Sequence, residues 1–360
     1  MQTLTKHKTN LYPTIMKRKI ILLPALALFA FFTACEYEPV QVVGPVENTP
    51  ENPTNPNPEV PETPVPPTAA AFNALQEEAL ENLKQEFTFD ASQSVVTLTS
   101  EKGVQISLYP GCLTKNGAAV TGNVELEYIE VFNRGNMLTA NKPTMGLMPN
   151  GDRGLLISGG EFYINATQDG VQLEMSCGMQ LMVPANLTGG QDNGMTLWFG
   201  AEGEDGNLVW EEVNNENPQG QQEAGVGGEG GNYYCYFNHF GWTNIDKFYS
   251  DPRPKTTIYV DVPEGYDETN SDVFVAYVGE DNGLALLDVY DEDTELFSEH
   301  YGLIPIGLEC YIIFVSEQDG EWIYAIKPVT IVADQIIVIN DSELNSITEA
   351  QLIALIDALP

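Results

Sequence analysis

Val95-Val96-Thr97-Leu98-Thr99 and Val104-Gln105-Ile106-Ser107-Leu108 open the part of the chain that decides the fold. Their side chains follow a period of two. In a strand, successive side chains take opposite faces, so such a run lays one apolar face on a core. The period returns in Val124-Glu125-Leu126-Glu127-Tyr128 and in Glu161-Phe162-Tyr163-Ile164-Asn165-Ala166. Turn signals punctuate it at Lys115-Asn116-Gly117, Asn150-Gly151, Gln168-Asp169-Gly170 and Glu204-Asp205-Gly206-Asn207. Residues 90–250 are therefore expected to form a β-sandwich. Within them, 214–232 hold Asn, Gln, Glu and Gly with almost no apolar side chains, and read as a flexible surface loop.

A second set of strands starts near Thr256. Its members are 257–262, 273–278, 284–289, 310–315, 322–326 and 336–339. Their number and spacing suit an immunoglobulin-like sandwich over 251–341, with Pro252 and Pro254 at the boundary. Residues 342–360 read as a C-terminal helix, with Ser346 or Thr348 as its cap and Glu349 in its first turn. At the other end, 69–89 read as an amphipathic helix. Phe72, Leu75, Ala79, Leu80, Leu83 and Phe87 share one face, Thr68 is the candidate N-cap, and the face is expected to dock on the first sandwich. The fold class is mainly β: two consecutive β-sandwich domains with a short helix before and after them.

Residues 1–34 carry Lys6, Lys8, Lys17, Arg18 and Lys19 and no acid, followed by an apolar run from Ile20 to Phe32. That run is short for a membrane-spanning helix and has the form of a secretory signal. Met16-Lys17-Arg18-Lys19 is a better start for it than Met1. Residues 36–68 hold ten prolines in 33 positions, a composition that forms no core and reads as an extended tether.

The chain has 15 Lys+Arg against 52 Asp+Glu, a net charge of -37. Nucleic acid is not an expected partner, because phosphate binding needs clustered Lys and Arg. Without residues 1–34 the net charge is -42, so anionic headgroups would repel the body and lipid must do the anchoring.

Phe32-Thr33-Ala34-Cys35 resembles the lipobox of bacterial lipoproteins, with Phe32 where Leu is usual. The resemblance implies that Cys35 is lipidated on its sulfur, becomes the mature N-terminus and provides the membrane partner. Glu36 and Glu38 resemble acidic export signals of such lipoproteins, which implies an outer-membrane anchor facing the cell surface. Ile106–Leu113, Val120–Tyr128, Ser158–Ile164 and Phe240–Phe248 resemble uncharacterised Bacteroidota-type lipoproteins. The first domain of those proteins is distantly similar to the ZU-five β-sandwich of ankyrins and netrin receptors. Val262-Pro263-Glu264-Gly265-Tyr266 and Leu303-Ile304-Pro305-Ile306-Gly307 extend the likeness into the second domain. These are mostly glycines and apolar positions, so they speak of fold rather than chemistry.

Some members of the wider ZU-five group resemble self-cleaving domains that cut within His-Phe-Ser. Here the stretch is His239-Phe240-Gly241, with no hydroxyl to attack. After processing, only His239 and His300 are left as imidazole bases, and no hydrolase or nucleotide-binding motif occurs. The expected function is therefore that of a non-catalytic scaffold or protein-binding module without a cofactor. A glycan-binding surface lipoprotein and a fimbrial subunit are the alternatives. Cys112 is expected as a buried thiol, and a bond among Cys112, Cys177 and Cys235 is the other outcome. The acidic run Asp288, Asp291, Glu292, Asp293 and Glu295 reads as a solvated loop rather than a Ca²⁺ site, because it lacks the EF-hand spacing. Tyr233-Tyr234-Cys235-Tyr236-Phe237 reads as core aromatics on both faces; tyrosines exposed on one face would instead suit sugar stacking.

Overall fold

The computed structural model of the protein describes residues 66–202, 207–213, 224–299 and 301–360. The signal segment, Cys35, the tether up to residue 65, residues 203–206 and 214–223, and His300 lie outside the described residues. The described chain is mainly β. It has helices at Ala69–Asn82 (α1), Arg134–Thr139 (α2) and Glu349–Asp357 (α3). Among the described residues no helix is long and apolar enough to cross a membrane.

The first half is organised around the long strand Arg153–Gln168. Its C-terminal part pairs with Asn123–Val131, and Gly241–Phe248 runs along its other edge. Thr196–Glu202 and Leu208–Glu212 follow in the same sheet. Met145–Leu147 pairs with the start of the long strand and also meets Leu208–Glu212 at Gly146 and Trp210. Five strands therefore close into a ring, a departure from a plain open sandwich. Leu156, Trp198 and Trp210 form a buried cluster from three of these strands, with Trp242 and Phe248 against it.

A second sheet covers the first. It runs in the order Gly225–Glu229, Asn232–Phe237, Met179–Pro184, Gln105–Leu108, Val96–Thr99. The core between the two sheets includes Ile106, Leu181 and Cys235 from one and Leu126, Phe162 and Ile245 from the other. The alternation in 96–99 and 105–108 is what puts Ile106 and Leu108 inside.

The second half has a four-stranded sheet, Val289–Asp291, Leu296–Ser298, Ile258–Asp261 and Gln335–Val338, whose last pair is parallel. It also has a five-stranded sheet, Ala285–Leu286, Ser271–Tyr277, Glu309–Gln318, Glu321–Thr330 and Asn345–Ile347. Val260, Ile337, Phe274, Ile312 and Phe314 share one buried core. Ile129, Val131, Met137, Leu138, Met145 and Leu155 of the first half belong to that same core.

Four expectations need correction. The N-terminal helix ends at Asn82, with Leu83 as its C-cap, instead of running to residue 89. Gln85–Asp90 is a strand paired with Asn123–Tyr128, because Phe87 and Phe89 alternate with polar residues and the period has already become two. Thr68 does cap α1, its side chain accepting from the Ala71 N–H. The helix packs on both halves: Leu80 and Leu83 belong to the core that holds Ile129 and Val131 of the first, and Phe72 meets Trp322 of the second edge-on with ring centroids 6.2 Å apart. The Gln76 amide also donates to the Asp272 carboxylate at 2.6 Å.

The second correction concerns 214–232, of which 224–232 are described. Gly225–Glu229 is an edge strand paired with Asn232–Tyr236. Ladder hydrogen bonds use the backbone alone, so glycines with nothing to bury can still pair there. Third, 342–360 is not all helix. Asn345–Ile347 adds a strand beside Trp322–Tyr324, and α3 starts only at Glu349, behind a Thr348–Gln351 capping box.

Fourth, Cys112 is not a free buried thiol but is bonded to Cys177, with Cα atoms 5.7 Å apart. Cys235 and Cys310 are free and buried.

Candidate functional site

The sequence-predicted residues do not converge. Cys35 and His300 lie outside the described residues. The His239 ring lies 3.9 Å from Phe199 and 5.7 Å from Phe237, centroid to centroid. Burial there pushes its pKa below the ordinary imidazole value, which favours the neutral ring. Gly241, two residues on, sits at φ +124°, where a side chain would strain the backbone.

Of the aromatic run, Tyr233, Cys235 and Phe237 face the core, while Tyr234 is half-buried and Tyr236 is exposed. The expectation of core on both faces holds for one face only. The acidic run is divided. Asp288 receives Arg153 at 3.0 Å and the Tyr301 hydroxyl at 2.8 Å, while Asp291 accepts from the Asp293 and Thr294 backbone N–H groups. Among the described residues no group of three or more His, Cys, Asp or Glu side chains is placed to hold a metal ion.

Two places bring polar chemistry together. The first is a buried network on the inner face of the long strand. The Ser158 hydroxyl donates to Asn244 Oδ1 at 2.9 Å, and Asn244 Nδ2 donates to Asp246 at 2.6 Å. Glu161 is fully buried beside them, and both of its carboxylate oxygens lack a hydrogen-bond partner among the described residues. Gly159 and Gly160 set this geometry. Gly160 has φ +129°, and a Cβ there would come within 2.6 Å of the Phe132 ring. An irregularity between Asn244 and Asp246 in the facing strand aligns Asp246 with Ser158. Desolvation, and then the mutual repulsion with Asp246, push the Glu161 pKa well above the carboxylate range. Lys142, its pKa lowered by burial, opposes that rise by its charge without a hydrogen bond to the carboxylate, and sits 5.5 Å from the Trp242 ring centroid.

The second place is a cleft of about 230 Å³ where the two halves meet. Met145, Leu155 and Phe248 come from the first half, Leu286, Leu303 and Ile304 from the second, and Tyr249 to Lys255 from the connection between them. Its polar groups are Asp251, Lys255, Arg153, Tyr249 and Glu299. Asp251 takes a two-pronged contact from the Arg253 guanidinium, which holds its carboxyl far below the usual range. Glu299 is 3% exposed, and burial raises its pKa to about 7 against opposing backbone N–H bonds from Leu303, Gly302 and Tyr301. Among the described residues its Oε1 has no hydrogen-bond partner.

Sequence reasoning missed Glu161, Asp246 and Glu299, since nothing local separates them from the chain's 52 acids. One signal was available: adjacent glycines inside a strand pattern, Gly159-Gly160, announce a bulge and a re-aimed side chain. No family model matches the chain, and no curated protein does either.

Proposed function

We propose that the protein is a lipid-anchored component of the cell envelope, fixed to the outer membrane through Cys35, whose folded body works as a non-catalytic scaffold or protein-binding module. The observation that carries the binding role is the surface of the edge strand Gln335–Val338. Ile336 and Val338 stand 56% and 43% exposed on it, and nearby Val332 is 60% exposed. This strand pairs with Ile258–Asp261 on one side and ends its sheet on the other. An aliphatic row at an open sheet edge suits another polypeptide, added as a strand, better than a sugar ring.

The non-catalytic reading is supported by the state of the nucleophiles. Burial pushes the Cys310 thiol up to about 12 and the Cys235 thiol higher still, so neither supplies a thiolate near neutral pH. His239 is packed among aromatics. The anchor reading rests on the Thr33-Ala34-Cys35 junction and on a spacer that ends where the body begins. At the body, Asn270 Nδ2 donates to the Pro67 carbonyl at 3.2 Å. Some thirty residues of such composition, at about 3.1 Å each, would reach on the order of 100 Å if fully extended.

The test is Cys35→Ala. The variant is expected to leave the membrane fraction for the soluble one, with a melting temperature equal to that of the native chain. Retention of the variant on membranes would refute lipid anchoring through Cys35.

A further inference from the structure

The junction cleft contains a mismatch between its shape and its charges. Its walls are mostly apolar: Met145, Leu155, Phe248, Leu286, Leu303 and Ile304. Three carboxylates stand in or beside it, and two are already served. Asp251 holds Arg253, with Lys255 3.8 Å away, and Asp288 holds Arg153. Glu299 receives backbone N–H groups from Leu303, Gly302 and Tyr301, and among the described residues none reaches its Oε1. A carboxylate buried to this degree, with one oxygen unpartnered, is costly unless something complements it. We propose that the cleft binds a small, mainly apolar molecule carrying one primary ammonium group, with the ammonium set against the Glu299 carboxylate and the apolar part on Leu286, Phe248 and Met145.

Three features support this assignment. The volume, about 230 Å³, accommodates roughly one aromatic ring with a short chain and sits below the usual drug-sized pocket. The cleft lies where two halves of the chain meet, a preferred place for ligand sites. Its charge pattern favours a cation: Arg153 and Lys255 already stand with Asp288 and Asp251, and an ammonium supplies the partner that Glu299 Oε1 lacks among the described residues. The site is separate from the aliphatic edge Gln335–Val338 and does not depend on the scaffold role.

The probe is phenethylamine, compared with the neutral phenethyl alcohol of the same shape, titrated into the intact chain. Amide chemical shifts locate binding, and calorimetry measures it. At pH 8 the amine is expected to bind at least tenfold more tightly than the alcohol, with shifts centred on Leu155, Leu286 and Leu303. Between pH 5.5 and 8 the amine should tighten, because Glu299 loses its proton through about pH 7 while the ammonium keeps its charge. The alcohol should stay level. The other groups around Glu299 are Asp288, Arg153, Tyr277, Tyr249, Asp251 and Lys255. Asp251 is ionised throughout this range, and burial pushes both tyrosines up, away from it. Glu299→Gln should remove the amine's preference and its pH dependence, and Met148→Trp, at the cleft wall, should weaken both probes. Equal affinity for the two probes in the native chain, a flat pH profile, or shifts centred elsewhere would overturn the assignment. The native-chain pH profile decides the matter even if a variant fails to fold.

Discussion

Glu161 concentrates the residue-scale argument. The long strand takes it inside because Gly159 and Gly160 bulge the backbone, not because its surroundings suit a carboxylate. Its folded-state pKa stands well above the ordinary 4.5, so the folded chain keeps a proton that the unfolded chain releases. The unfolded state therefore gains stability as pH rises above about 4.5, and this group destabilises the fold progressively toward alkaline pH. Glu161→Gln keeps the shape without the charge. Its unfolding free energy is expected to exceed that of the native chain at pH 8 by on the order of 1–3 kcal/mol, and to match it near pH 4. Denaturant titrations at the two pH values check this. A variant less stable at pH 8 would mean that the Glu161 charge is satisfied by a partner such as Lys142.

At the scale of elements, the disulfide makes the sharpest prediction. Cys112 follows the short turn at Pro110 and Gly111, and Cys177 precedes the strand Met179–Pro184, at a sequence separation of 65. Closing a loop of that length in the unfolded chain contributes about 4 kcal/mol on chain-entropy grounds. Cys112→Ser and Cys177→Ser should each lower stability by about that amount. Alkylation of the unfolded, unreduced chain should leave Cys112 and Cys177 unlabelled while labelling Cys235 and Cys310. Labelling at Cys112 would contradict the pairing. The elements differ in how readable they were. Strands with strict alternation, such as Val124–Tyr128, were plain in the sequence because one face is core. The α1 boundary was misplaced because Phe87 continues the helical face of Leu80 and Leu83 while already serving a strand. Gly225–Glu229 was hidden because an edge strand asks nothing of its side chains. The partner of Cys112 was hidden because pairing depends on where separate turns meet.

For the whole molecule, composition and period made the mainly-β class legible, but not the joining of the halves. Phe72 of α1, Val131 and Met145 of the first half and Phe274 of the second belong to one core. The α2–α3 contact reinforces it. The Gly135 N–H donates to Asp357 at 2.8 Å, and a Cβ on Gly135 would stand 2.7 Å from the Ile353 carbonyl oxygen. Arg134 beside it is 1% exposed and donates to the Leu359 carbonyl at 2.8 Å. Contacts separated by more than 200 residues leave no local trace in a sequence, and neither does the cleft they frame. The functional account needs this body to be held at a membrane by its N-terminus. Intact-mass and N-terminal peptide spectrometry of the chain extracted from membranes tests that directly. The account predicts a chain that begins at Cys35, with a diacylglyceryl group on its sulfur and an acylated amine. An unmodified Cys35, or a chain that still carries residues 1–34, would contradict it.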